Sequence, residues 1–372
     1  MNPFPHYPPY GYKGRSPNIH HTYQKEKNTN KEKEKINLPQ NIEKFEKHDK
    51  LKYILTTEEY STDINNIIKL NDSRYLTSDN NEFHICEIKD NQKDPYIYKS
   101  EFKQNLKYGK MIFSSGKIIF IESLEKEEKI HFLKIYYNNK FFQCEIKKEV
   151  FNIFESDNII VLIEEKMIEL FKFEEDNTSI PLYKISELEV DDQILSIEKA
   201  NKFLFCGHKS GLISIWSPVS DSPFLKNIKT FKIHYNGINK LICNAKKDKE
   251  QIILITGSSD KTLKVHSLEN NDRICINLIY FSDEVMDISF IHSLDKKNIY
   301  YVISLKNGVL KVLDTSFKEI CEIYSKYQTT TTRFVLEIEN KENDNTKGDY
   351  ILITEGKKLD KYCWIPKDKN QN

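Results

Sequence analysis

The 372-residue chain has very little arginine. It occurs only at Arg15, Arg74, Arg273 and Arg333, and lysine supplies the rest of the 56 basic residues, which equal the 56 acidic residues in number. The planar guanidinium of arginine is the group that binds phosphate and carboxylate through paired hydrogen bonds. With few arginines and no net charge, the composition argues against a nucleic-acid-binding surface and predicts an evenly mixed, solvated one.

Paired cysteines and long apolar runs are also missing. The seven cysteines are odd in number, and no two have the C-x2-C spacing of a zinc site or a redox motif. Most lie inside apolar runs, as Cys206 does, so we predict buried free thiols in a reducing compartment, the cytoplasm or the nucleus. No signal peptide is recognisable, and no apolar run approaches the roughly 18 residues of a membrane-spanning helix. We expect no membrane partner.

Motifs that carry chemistry are absent as well. The sequence contains no G-x-S-x-G, no phosphate-binding Gly-rich loop and no H-E-x-x-H. The acidic segments 122–129 and 174–176 lie in polar, lysine-rich surroundings, which is typical of solvated loops rather than of carboxylate sites. We therefore expect no catalytic residue, no metal site and no cofactor.

Two kinds of sequence follow one another along the chain. Residues 1–41 mix proline with tyrosine, and then lysine with glutamate and asparagine. Such a composition buries too little apolar surface to offset the entropy of ordering, so we predict a disordered tail. Residues 50–367 consist of short apolar runs, rich in β-branched and aromatic residues, separated by turns. They predict an all-β domain.

The clearest unit lies at 251–268, with the sequence QIILITGSSDKTLKVHSL. Two β-branched runs flank a polar turn, and His234 opens the unit upstream. This stretch resembles a repeat of the WD40 family, in which a His begins the unit and a GSxDxTLKV hairpin closes it. In that family a His, a Ser or Thr, an Asp and a Trp form a hydrogen-bonded set. The resemblance assigns the first three to His234, Ser258 and Asp260, with His266 at the tryptophan position.

Weaker copies of this hairpin recur along the chain at intervals of about 35 to 51 residues, around the spacing of WD40 repeats. The predicted hairpins are 75–87, 111–146, 158–173, 202–216, 251–268, 298–313 and 349–364. The tryptophan position of these units falls at Cys86, Tyr136, Phe171, Trp216, His266, Leu313 and Trp364. Seven units predict a seven-bladed WD40-like β-propeller, with a six-bladed ring and a pair of β-sandwiches as alternatives.

The segment 50–55 (KLKYIL) is a predicted strand that belongs to none of these hairpins. We predict that it supplies the outer strand of the seventh blade and closes the ring, which removes open sheet edges. The WD dipeptide never occurs, and Gly207-His208 falls at the end of a strand rather than at the start of a blade. We therefore expect hydrophobic stacking to matter more than the family's polar set, with Trp216 and Trp364 buried.

The resemblance implies a general function. We expect a non-enzymatic protein–protein interaction scaffold that binds other proteins in a multiprotein complex. Partners of WD40-like rings often sit on the loops that lead into the inner strands, and Tyr235 is our first choice because aromatic residues often anchor interfaces. Acidic, aromatic and hydroxyl side chains together suit a basic or polar peptide. The candidate partner-binding residues are Asp191, Asp192, Tyr235, Asn236, Ser282 and Asp283.

An RNA-associated propeller subunit of an RNA-processing assembly is the main alternative, and a substrate receptor of a ubiquitin ligase is another. Lysines stand beside aromatic residues at 134–137 and 226–235, a combination suited to base stacking and phosphate binding. The same alternation is typical of an edge strand. The zero net charge also provides no attractive field for phosphates, which favours the protein scaffold.

Overall fold

The computed structural model describes β-strands and the turns that join them. The described residues are 49–56, 60, 62–71, 74–79, 83–87, 106–124, 129–138, 140–156, 158–174, 181–219, 224–245, 251–269, 272–293, 296–325, 332–338 and 350–366. All regular structure in these ranges is β-strand, as predicted. None of them forms a helix long and apolar enough to cross a membrane. The predicted tail, 1–41, lies outside them.

Strand β1 (Asp49–Thr56) precedes blade 1 in the sequence but is not part of its sheet. The strands that follow it form three antiparallel sheets. Blade 1 contains β2 (Asn66–Lys69), β3 (Arg74–Ser78) and β4 (Phe83–Glu87). Blade 2 contains β5 (Leu106–Ser114), β6 (Lys117–Leu124), β7 (Ile130–Tyr137) and β8 (Lys140–Ile146). Blade 3 contains β9 (Asn152–Ser156), β10 (Ile159–Ile163), β11 (Met167–Phe173) and β12 (Leu182–Glu189).

Four further sheets follow. Blade 4 contains β13 (Ile194–Ala200), β14 (Phe203–His208), β15 (Leu212–Pro218) and β16 (Leu225–Lys232). Blade 5 contains β17 (Ile238–Ala245), β18 (Ile252–Ser258), β19 (Thr262–Glu269) and β20 (Asp272–Tyr280). Blade 6 contains β21 (Val285–His292), β22 (Ile299–Leu305), β23 (Leu310–Leu313) and β24 (Glu319–Ile323). Blade 7 contains β25 (Val335–Ile338), β26 (Tyr350–Glu355) and β27 (Lys358–Pro366). Every predicted hairpin lies within one blade.

The seven sheets form a closed ring. The first strand of each blade contacts the first strand of the next in the order β2, β5, β9, β13, β17, β21, β25 and back to β2, so these strands surround the axis. Strand β1 pairs antiparallel with β27, from Asp49 opposite Pro366 to Thr56 opposite Asp360, and becomes the outer strand of blade 7. The predicted seven-bladed propeller and its closure by an N-terminal strand are confirmed.

Apolar side chains between neighbouring blades form the core. Between blades 3 and 4, for example, Val161 and Leu170 belong to one buried cluster with Leu204 and Trp216. Trp216 is only 7% exposed, as predicted. The side chain of Trp364 lies outside the described residues. The predicted hydrophobic stacking of blades is therefore present wherever two described sheets face each other.

The tryptophan position of blade 7 was predicted wrongly. In blades 3 to 6 the pairing with the outer strand shifts by one residue immediately before Phe171, Trp216, His266 and Leu313. In blade 7 the same shift lies opposite Tyr362, between Tyr53 and Leu55 of β1. Tyr362, which is 1% exposed, therefore occupies the position that the sequence spacing assigned to Trp364.

The cysteines are free where they are described, but they are not uniformly buried. Cys206 and Cys321 are buried, Cys144 and Cys243 are partly buried, and Cys275 is exposed on β20. Burial raises the pKa of the Cys206 thiol to about 12, which keeps it protonated and unreactive. The expectation of mostly buried thiols needs correction at Cys275, because it lies on an outer strand.

Candidate functional site

One end of the ring carries both the connections that lead into the inner strands and the hairpins between second and third strands. We call this end the loop face. Backbone hydrogen bonds join the two sets of loops: Lys209 N donates to Gln193 O at 2.8 Å, and Ser259 N donates to Gly237 O at 2.9 Å. Loops tied to each other in this way form a continuous surface rather than independent flaps.

All six predicted partner-binding residues lie on the loop face, on three consecutive blades. Each pair precedes the first strand of its blade: β13, β17 and β21. Tyr235 is 86% exposed and is the most exposed large hydrophobic residue described. Asp191, Asn236 and Ser282 are exposed, whereas Asp192 and Asp283 are partly buried. The residues are Asp191, Asp192, Tyr235, Asn236, Ser282 and Asp283.

A buried polar network holds the connection that carries Tyr235. His234 Nδ1 donates to Asp260 Oδ2 at 3.0 Å, and its Nε2 lies 2.8 Å from the hydroxyl oxygen of Thr256. Asp260 Oδ2 also accepts from Tyr235 N at 3.0 Å. Burial lowers the pKa of His234 to about 4, although Asp260 opposes this, so the ring stays neutral at pH 7. The backbone of Tyr235 is therefore fixed while its side chain points into solvent.

The partner of His234 differs from the prediction. The sequence reading assigned the hydroxyl of the set to Ser258, but Thr256 occupies that place. Ser258 instead donates to Asn236 O at 3.1 Å and accepts from Asp260 N at 3.0 Å, which shapes the hairpin turn. Asp260 and His234 are positioned as expected.

Blade 4 contains a second network that the sequence reading missed. Trp216 Nε1 donates to Ser214 Oγ at 2.8 Å, and the Ser214 hydroxyl lies 2.6 Å from His208 Nε2. His208 Nδ1 is 3.1 Å from the Asp192 carbonyl oxygen, and Asp192 Oδ2 accepts from Ser210 N at 3.1 Å. Asp192 is thus engaged in supporting its own loop. Blade 4 therefore combines this polar set with the predicted hydrophobic stacking against its neighbours.

Blade 7 uses an ion pair in the equivalent connection. Arg333 and Glu355 are both fully buried and form a salt bridge. Arg333 Nη1 also donates to Gly308 O at 3.2 Å and to Ile323 O at 3.0 Å, both on blade 6. Ser325 donates to Glu355 Oε2 at 2.6 Å. Because the pair is hydrogen-bonded on both sides of the blade junction, removal of either partner would leave an unpaired buried charge.

Lysines of the neighbouring hairpins share the loop face with the predicted residues. Lys264 Nζ lies 5.7 Å from the centre of the Tyr235 ring. Lys261 Nζ donates to Ser282 O at 3.3 Å and lies 3.9 Å from Asp283 Oδ1. The loop face therefore carries both positive and negative charges, whereas the connections that lead into the inner strands contribute acidic residues. This mixed charge does not by itself select a basic peptide.

The first segment singled out for RNA binding lies largely inside the protein. Lys134 is buried and ion-paired with Glu122, which is also buried. The ring of Tyr136 lies 4.9 Å from that of Phe141, and the ring of Tyr137 lies 6.1 Å from that of Phe173. The second segment, 226–235, runs along the outer strand β16 and the connection after it, where Lys226 and Lys232 are exposed and Lys229 is half-buried.

No three or more His, Cys, Asp or Glu residues gather into a possible metal site in the part of the chain that the structure describes. No protein-family model and no curated protein matches the chain. Structural similarity is broad, with 1133 matching chains of known structure, so it points to a fold and not to one function.

Two solved structures illustrate this similarity. The computationally designed Ika8 protein has a TM-score of 0.54 and 13% identity, with 84% of this chain and 99% of that chain covered. The Hsv2 protein of Kluyveromyces lactis has a TM-score of 0.52 and 17% identity, with 79% and 90% covered. At these identities the likeness concerns the fold alone. The chain is a seven-bladed β-propeller, a fold that commonly serves as a protein-interaction scaffold.

Proposed function

We propose that the protein is a non-enzymatic interaction scaffold of the WD40 type, which holds a protein partner on the loop face of blades 4 to 6. The observation that carries this proposal is Tyr235. A large aromatic side chain that is 86% exposed, on a backbone held by a buried network, has the properties of an interface anchor. Because the backbone of Tyr235 is already held, less conformational entropy is lost when a partner covers this residue.

The WD40 assignment is supported by blade 5. A His in the connection to the inner strand, a Thr on the second strand and an Asp in the following hairpin are joined by hydrogen bonds there. This is the family's polar set without its tryptophan, whose place His266 takes. The outer-strand shift before that position in blades 3 to 7 adds a backbone feature that is repeated five times.

A protein partner fits the surface better than RNA. Carboxylates and lysines alternate on the loop face, as in Lys261 beside Asp283 and Lys306 beside Glu284 at 2.6 Å. A mixed surface gives specificity for a protein of complementary pattern but repels part of a phosphate backbone. The buried state of Lys134 also removes half of the basis for the RNA alternative.

The test compares two triple variants in affinity purification of the tagged full-length chain, with identification of the partners by mass spectrometry. Tyr235→Ala, Asp191→Ala and Asp283→Ala together should abolish a recovered protein partner without lowering the melting temperature. The matched control removes one exposed aromatic residue and two exposed carboxylates elsewhere, with the substitutions Phe141→Ala, Glu145→Ala and Glu269→Ala. Retention of every partner by the first variant, or RNA as the principal ligand, would contradict the proposal.

A further inference from the structure

The outer strand of blade 5 has an apolar edge. β20 is the last strand of its sheet, and no strand in the described part of the chain pairs with its outer side. Its last seven residues, 274–280, have the sequence ICINLIY and contain neither a charge nor a proline. In the other described outer strands, β1, β8, β12, β16 and β24, no uncharged run exceeds four residues. Charges and prolines on an edge discourage pairing with a further strand, and this part of β20 lacks them.

Large apolar side chains of β20 lie in solvent. Ile274, Ile276, Leu278 and Tyr280 are between 41% and 75% exposed. Together they present roughly 400 Å² of apolar surface, as much as the largest apolar patch of a typical monomer. A stable contact between two folded proteins covers roughly 800 Å² on each partner. The area of this edge is therefore small for a second copy of the chain, and it suits a single extended strand, which also gains main-chain hydrogen bonds.

The part of β20 nearest the loop face is regular. Residues 277–280 pair with residues 262–265 of β19 without interruption, whereas the shift in the pairing lies at Ile276. Shifts of this kind bend a strand and interrupt its hydrogen bonding, so they limit pairing on the free side as well. The segment 277–280 is thus the portion of the edge on which a further strand can add in regular geometry.

This portion of the edge is continuous with the surface around Tyr235. Leu278 lies directly opposite Lys264, and Tyr280, two residues further, shares its face of the sheet. Lys264 Nζ donates to Ile233 O at 2.6 Å and lies 5.7 Å from the centre of the Tyr235 ring. A partner that covers Tyr235 therefore reaches Leu278 and Tyr280 across a single lysine side chain.

We propose that the free edge of 277–280 accepts an extended, uncharged segment of the protein partner as a fifth strand of blade 5. This inference rests on the scaffold function proposed above and adds the chemistry of the partner. The main chain of the segment hydrogen-bonds to β20, and its alternate apolar side chains cover Leu278 and Tyr280. A charged segment does not fit, because its charge would be desolvated against an apolar row, and a proline would remove a main-chain donor.

A library of random peptides displayed on phage tests the chemistry of the segment. The library is first depleted on the full-length double variant Leu278→Lys, Tyr280→Lys, which removes peptides that bind elsewhere, and is then selected on the unmodified full-length chain. The enriched peptides should have an uncharged, proline-free centre rich in β-branched and aromatic residues. Enrichment of charged peptides, or no peptide that distinguishes the two proteins, would overturn the proposal.

Backbone methylation of one enriched peptide tests the strand pairing on the unmodified chain. Two derivatives carry N-methyl groups on alternate amides, one derivative for each edge of the extended peptide. Only one edge of an added strand faces β20, so one derivative should bind at least about tenfold more weakly in fluorescence anisotropy, since two or more main-chain hydrogen bonds are lost. The other derivative should bind as the parent peptide does. Equal affinities of the two derivatives would overturn the proposal.

A variant on the same strand is the matched control. Ile274 is exposed as well, but it lies opposite Ser267, below the shift in the pairing and on the other face of the sheet from Leu278. Ile274→Lys should therefore leave the affinity for the peptide unchanged, whereas the double variant should bind it at least tenfold more weakly at an unchanged melting temperature. Equal loss of binding in both variants would overturn the assignment to 277–280.

The fifth strand and the scaffold function can fail separately. In affinity purification, a partner that is lost from the Tyr235, Asp191 and Asp283 triple variant but kept by the β20 double variant would overturn the fifth strand alone. Retention of the partner by both variants would overturn both proposals. In analytical ultracentrifugation, a dimer of the full chain that the double variant converts to a monomer would show that a second copy covers the edge instead, which also overturns this inference.

Discussion

The pairing of β1 with β27 should decide whether the ring holds together. Seven residues of β1 are paired with β27 across the full length of the strand. At a net contribution of about 0.5–1.5 kcal/mol for each intramolecular hydrogen bond, a ladder of this length contributes roughly 4–10 kcal/mol. That is comparable to the whole stability of a typical domain, about 5–15 kcal/mol. Deletion of residues 1–58 should therefore unfold or aggregate the protein.

The matched truncation removes residues 1–41 and leaves β1 in place. It should keep the melting temperature of the full chain, measured by circular dichroism, and should elute as the same species in size-exclusion chromatography. The longer truncation exposes the edge of β27, which also favours aggregation. Equal melting temperatures for the two truncations would refute closure of the ring by β1.

Three further predictions concern buried groups. Trp216→Ala should lower the free energy of unfolding, measured by urea denaturation, by about 3–5 kcal/mol. An unchanged free energy would show that the Trp216 indole is not part of the core. Burial, followed by the charge of Arg273, lowers the pKa of His266 to about 4, and its Nδ1 has no hydrogen-bond partner among the described residues. Because the unfolded chain takes up this proton near pH 6.5, stability should fall as the pH decreases from 6.5 to 4. His266→Phe should raise stability at pH 7 by about 1–2 kcal/mol and weaken that acid dependence. A variant more sensitive to acid than the original protein would show that His266 is not the group responsible. Burial and the charge of Glu169 raise the pKa of Glu164 to about 7. The contribution of Glu164 to stability therefore falls as the pH rises from 4.5 to 7. Glu164→Gln should remove this pH dependence from the urea midpoint, measured at several pH values.

The fold was predictable because strands and turns depend on residues that are close together in the sequence. Runs of β-branched residues around Gly, Asn and Asp turns placed every hairpin in the correct blade. The segment 50–55 was a predicted strand that belonged to none of the seven hairpins. Closure of the ring was the arrangement that gave it a pairing partner. These are consequences of period-two patterns and turn residues, both of which a single sequence displays.

The two errors of position have one physical cause. Thr256 and Ser258 lie two residues apart on β18, as Tyr362 and Trp364 do on β27. Residues two apart in a strand share a face but are about 7 Å apart along it. The alternation therefore indicated the correct face, while the choice between the two residues depended on the register with a neighbouring strand.

Only part of the candidate site could be predicted from the sequence. The connections before β13, β17 and β21 followed from the strand starts. Lys261 and Lys264, by contrast, reach the same face from a hairpin 24 or more residues away from the connection before β17, and only the folded blade brings them there. The ion pair between Arg333 and Glu355 belongs to no sequence motif. The one available signal was the rarity of arginine, which makes each of the four arginines worth a structural explanation.

Site-specific photo-crosslinking tests the loop-face proposal most directly. A photoreactive phenylalanine analogue replaces Tyr235 in the full-length protein, and in a separate sample it replaces Phe141, an aromatic residue that is 44% exposed on the outer strand of blade 2. After irradiation in cells, crosslinked products are identified by mass spectrometry. We expect a discrete protein adduct at position 235 and none at position 141. Protein adducts at 141 and not at 235, or RNA as the principal adduct at 235, would contradict the loop-face proposal.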